Sequence, residues 1–107
     1  MVEVLFRNVE RSELARQLAE DRISEIVRAF PDAPTRAVSI TLGMVRSSQV
    51  SRPDLFAVHV QWNGAFGTIA AQAQAPSLYV ALELLQRSLR RKLKKASESC
   101  IVNNDAT

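Results

Sequence analysis

The chain has one cysteine, one histidine, three glycines and four prolines in 107 residues, and aromatic side chains make up only 6%. Each scarcity excludes something. With Cys100 alone, no internal disulfide framework forms, and the composition fits a reducing compartment. One histidine, His59, leaves a nucleophilic triad little to work with. His59 falls mid-strand in the pattern below, as an exposed strand histidine, and Cys100 lies near the C-terminus without a fixed partner. Gly43, Gly64 and Gly67 sit in strand or turn contexts, so no phosphate-cradling glycine loop is present. Clustered metal-ligand spacing is missing as well, and Glu20 and Asp21 are neighbours on a helix and diverge. Catalysis, a metal, a cofactor and a small-molecule substrate are therefore not expected. No apolar run is long enough to cross a membrane, and VEVLF at the start reads as a strand rather than a basic leader, so a cytoplasmic location is expected.

What is present is one strongly patterned stretch, PSLYVALELLQRSLRRKLKKAS, over Pro76–Ser97. Leu78, Leu82, Leu85, Leu89 and Leu93 recur at helical steps and stay within about 40° of one line. Arg87, Arg90, Arg91 and Lys94 fall on the far side, with Lys95 beside them and Lys92 nearer the seam. The net charge of +3 is modest, but residues 86–96 carry six basic groups and no acid. The rest of the chain holds eight basic and eleven acidic residues. Eleven of the fourteen basic residues are arginine, suited to forked contacts with phosphate. This asymmetry points to a focused cationic surface for phosphates or an acidic partner, against the plainer reading of a solvated helix face.

The remaining elements follow in order. Val2, Val4 and Phe6 alternate with Glu3, Leu5 and Arg7, the pattern of a half-buried strand. Ser12 is placed to cap a helix over about residues 13–30, with Glu13 in its first turn. Its apolar spacing runs Leu14, Ala15, Leu18, Ala19, Ile23, Ile26, Val27 and Phe30, and Pro31 with Asp32-Ala33-Pro34 ends it. Val38, Ile40, Leu42 and Met44 mark a second strand, and a polar loop spans Arg46–Asp54. Phe56, Val58, Val60 and Trp62 mark a third strand.

Asn63-Gly64 is a favoured hairpin pair. A two-residue turn there would set Trp62 against Ala65, Val60 against Gly67, Val58 against Ile69 and Phe56 against Ala71. That places Ile69, Ala71 and Ala73 on the apolar side of a fourth strand. Trp62 and Phe66 flank the turn, and packing is the expected role of Trp62 rather than base stacking. The order βαβββα predicts an α+β two-layer sandwich, with a four-stranded mixed sheet and both helices packed on one face. Strands one and two should be parallel and the later strands an antiparallel meander. One domain over residues 1–96 and a short C-terminal tail over 97–107 are expected.

Arg16 and Arg22 on the first helix either extend the cationic surface or pair with Glu13, Glu20 or Glu25. Val80 and Leu84 share the side of the last helix that carries Arg87 and Arg91. They either pack on the first helix or belong to a contact surface.

The closing segment AAQAQAPSLYVALELLQRSLRRKLKKA, with the order of elements and RNVERSELARQL before the first helix, resembles the bacterial ribosome hibernation-promoting factors, including the ribosome-associated inhibitor branch. Leu78-Tyr79 with Ala81 and Leu82 match that family's helix start. Arg87, Arg90, Arg91 and Lys94 match its basic cluster, and Ser12 and Arg16 its first-helix cap and basic position. Ser77 stands where the family usually carries an acidic residue, and Phe6-Arg7 where it has an early glycine. The chain stops soon after the last helix, as in the short forms without a C-terminal dimerisation domain.

The resemblance implies a non-catalytic RNA-binding regulator in the messenger and transfer RNA channel of the small ribosomal subunit. It would block translation and stabilise idle ribosomes under stress or in stationary phase. Its partners would be the small subunit and its ribosomal RNA, contacted through Arg87, Arg90, Arg91, Lys94 and Lys95, with Arg16 and Arg22. Two other readings stay open: a structured-RNA binder acting off the ribosome, and a module that recognises an acidic protein.

Overall fold

In a computed structural model the chain is described over residues 2–30, 35–46, 51–64 and 67–106, with side chains at 35, 36 and 99–106 outside the description. Alternating apolar residues build the strands β1 (Val2–Arg7), β2 (Thr35–Val45), β3 (Leu55–Gly64) and β4 (Gly67–Ala75). The two amphipathic stretches form α1 (Glu13–Ala29) and α2 (Leu78–Ala106). The sheet order is β1-β2-β3-β4; β1 runs parallel to β2, and β3 and β4 continue as an antiparallel meander. This is the predicted α+β arrangement in the order βαβββα.

Helix α1 begins where its cap chemistry says. Ser12 is extended (φ −132°), and its hydroxyl oxygen accepts a hydrogen bond from the Ala15 amide at 3.2 Å. Phe30 ends the helix, its amide bonding to the Ile26 carbonyl at 3.1 Å. The break expected at Pro31–Pro34, residues 47–50 of the polar loop, Ala65, Phe66 and the Cys100 side chain lie outside the described residues. The chain leaves β1 through Asn8, whose φ of 62° is left-handed. Asparagine enters that region more readily than most side chains because its short amide can bond locally.

The core lies between the sheet and the helices. Val38, Ile40, Leu42, Val58, Val60 and Trp62 supply the sheet side; Ile23 and Ile26 of α1 and Leu82, Leu85, Leu89 and Leu93 of α2 cover it. The four α2 leucines are at most 1% exposed, so the leucine seam is the helix's buried line. Ala71 and Ala75 on β4 are buried too, their small side chains suiting the close approach of α2. Trp62 is 1% exposed and is a packing residue.

Two expectations are corrected. The β3–β4 register pairs Trp62 with Ile69, Val60 with Ala71, Val58 with Ala73 and Phe56 with Ala75. The ladder continues through Asn63↔Thr68 to Gly64↔Gly67, so Asn63-Gly64 is strand rather than turn. A cross-strand bond explains this use of Asn63: the Thr68 hydroxyl donates to its Oδ1 at 2.8 Å. Each β3 residue meets a β4 partner four residues further along than expected, an even step, so Ile69, Ala71 and Ala73 keep the core side. Leu14, expected on the apolar face of α1, is 76% exposed. It lies about 140° around the helix from Ala19, on the solvent side.

Candidate nucleic-acid interface

Because the leucine seam fixes α2 against the sheet, its opposite face is held outward as a rigid surface. Arg87, Arg90, Arg91, Lys94 and Lys95 are all exposed there. Only Arg87 has an acidic partner among the described residues, donating to Glu83 Oε1 at 3.0 Å. That pair is solvent-exposed on both sides, so it offers little resistance to exchange for a phosphate. The other four cations are presented to solvent.

Arg22 and Arg16 have different fates. The Arg22 guanidinium donates to Gln86 Oε1 at 3.3 Å, and Gln86 Nε2 donates onward to Glu25 Oε2 at 2.9 Å. Gln86, only 8% exposed, thereby ties α1 to α2 through both ends of its amide. A shallow cleft lined by Arg22, Glu25, Glu83, Gln86, Arg87 and Arg90 follows this junction. Arg22 is thus brought beside the α2 cations, with carboxylates interleaved.

Arg16 pairs with both Glu13 and Glu20, bonding to Glu20 Oε1 at 2.5 Å. The Arg16 guanidinium holds the Glu13 carboxyl below its ordinary range, and Glu13, with Glu20 adding to it, raises Arg16 in return. Arg16 is engaged within α1 and is not assembled with the open cation group. Of the alternatives left by the sequence, pairing therefore accounts for Arg16, while Arg22 takes the Gln86 amide and stays close to Arg87 and Arg90.

Lys92 plays a different part. Its Nζ donates to the backbone carbonyl of Ala70 on β4 at 2.7 Å. Its place near the leucine seam was the signal that it differs from the outward cations. Gln86 gave a similar hint, lying one residue after Leu85. Val80 and Leu84 remain 46% and 42% exposed and form an apolar margin to the basic face.

Among the described residues no group of histidine, cysteine or carboxylate side chains could hold a metal ion, and no helix is long and apolar enough to cross a membrane.

The fold is shared with solved structures. A ribosomal subunit interface protein from Coxiella burnetii superposes with a TM-score of 0.72 at 20% identity, covering 91% of this chain and 97% of that one. The N-terminal domain of Protein Y from Thermus thermophilus gives 0.65 at 15% identity, covering 87% and 93%. No curated protein sequence matches the chain. Residues 2–99 match the family described as sigma 54 modulation protein / S30EA ribosomal protein, and the chain belongs to that family.

Proposed function

We propose that this protein binds the ribosome without catalysis, laying the basic face of α2 against ribosomal RNA of the small subunit. In that position it occupies the channel for messenger and transfer RNA and holds idle ribosomes out of translation under stress or in stationary phase. The observation that carries the reading is the exposed set Arg90, Arg91, Lys94 and Lys95, without an acidic partner among the described residues, on a helix pinned by four buried leucines. Arg87 and Arg22 extend it along the α1–α2 cleft. Membership of a ribosomal protein family and the likeness to a subunit interface protein support the ribosome as partner.

Arginines on a rigid helix recognise the backbone shape of folded RNA rather than base sequence. Such binding releases counterions, so affinity should fall by nearly one power of salt concentration, about 0.7–0.9, for each phosphate contact. Co-sedimentation with purified small subunits over a salt series tests the proposal. Association that weakens steeply with salt is expected. A protein that stays at the top of the gradient at low salt defeats the proposal.

A further inference from the structure

The face of the sheet turned away from the helices carries a hollow of about 460 Å³. Its shape follows from one cross-strand row. Arg7 on β1 pairs with Gly43 on β2, Gly43 with Ala57 on β3, and Ala57 with Gln74 on β4. Paired residues share a face, so the row has a long cation at one end, a long amide at the other and two small residues between them. The next row places His59 beside Gln72. These two, with Gln74, wall the hollow with hydrogen-bonding groups, and Arg7 is the one arginine or lysine in its lining. Arg7 has no carboxylate partner among the described residues.

We propose that this hollow holds one unpaired nucleotide of an RNA strand. The floor of Gly43 and Ala57 is low and flat, as a planar base requires. Side-chain amides donate and accept at once and match the edges of an unstacked base. The Arg7 backbone stands three strand spacings from that of Gln74, about 14 Å, and its exposed guanidinium takes the phosphate at that end of the row. The hollow's volume lies within the ~300–1,000 Å³ usual for ligand sites. Its lining contains no acid to repel a phosphate. The sheet face is open, so a strand can enter and leave on either side of the held nucleotide.

This site lies across the sheet from α2 and stands whether or not the ribosomal reading does. Amide chemical shifts of the whole chain, titrated with a uridine heptamer RNA and separately with uridine monophosphate, test it. The RNA should move amides of residues 41–43, 57–59 and 72–74, and should do so in the Arg87→Glu/Arg91→Glu variant as well. Ala57→Leu, which fills the floor, should abolish those shifts, and Arg7→Gln should weaken binding about tenfold through the lost charge-assisted bond. Arg7 and Gln74 are exposed at the rim, so weaker binding in Arg7→Gln and Gln74→Ala reports on the site even if Ala57→Leu fails to fold. Shifts confined to α2, or sheet-face shifts that survive Ala57→Leu, would overturn the proposal. Monophosphate binding as tight as the heptamer's would overturn the assignment to a strand.

Discussion

Lys92 reaches from α2 to the outer strand of the sheet, where its Nζ donates to the Ala70 carbonyl oxygen at 2.7 Å. Among the described residues β4 has a ladder partner on one side only, and such an edge invites pairing with another chain. A lysine at this carbonyl occupies an acceptor that an incoming strand would use and puts charge at the point of approach. Lys92→Met should therefore increase self-association with little change in melting temperature. Sedimentation velocity over a concentration series checks it; a variant as monodisperse as the parent would show that Lys92 does not guard the edge.

The leucine seam and the apolar margin of α2 make opposite predictions for the same chemical change. Leu89 is fully buried, so Leu89→Ala should cost about 2–5 kcal/mol through lost burial and a cavity. Leu84 is 42% exposed, and Leu84→Ala should stay within about 0.5 kcal/mol. Urea unfolding of the two variants compares them directly. Equal losses would mean that α2 is rotated about its axis and buries both leucines alike.

Gln86 joins the helices through bonds to Arg22 and Glu25. Gln86→Leu keeps most of the volume but removes both bonds, and should cost about 1–2 kcal/mol. Urea denaturation measures it; a neutral or stabilising result would show that packing alone holds α1 to α2.

Glu13 and Arg16 give a pH signature. The folded-state value of Glu13 is depressed, so the stability from the pair is present above the ordinary carboxylate range and is lost as pH falls through the lowered value. Carboxyl titration by NMR should find Glu13 protonating below the ordinary glutamate range. In Arg16→Ala it should return to the ordinary range. No difference between parent and variant would remove the pair from solution.

Period-two alternation made the strands legible in the sequence, and leucine spacing made the buried face of α2 legible, because both express burial directly. The hairpin register was not, since Asn63-Gly64 has the chemistry of a turn and only the Thr68 hydroxyl bond reveals its use as strand. The outward cations were readable from their distance to the leucine seam. The partners of Arg16 and Arg22 were not, because each had more than one carboxylate within reach along α1. The sheet-face hollow was hidden for another reason. Arg7, Gly43, Ala57 and Gln74 are far apart in the chain and meet only through strand pairing.

In the proposed function the basic face of α2 carries binding to the small subunit. Arg87→Glu combined with Arg91→Glu changes two exposed side chains, removes the Arg87–Glu83 pair and sets like charges between positions 83 and 87 and between 87 and 91, a surface cost of about 1 kcal/mol in all. The fold and melting temperature should hold nearly unchanged, while co-sedimentation with small ribosomal subunits at low salt should be lost. A folded double variant that still travels with the subunit as the parent chain does would contradict the account.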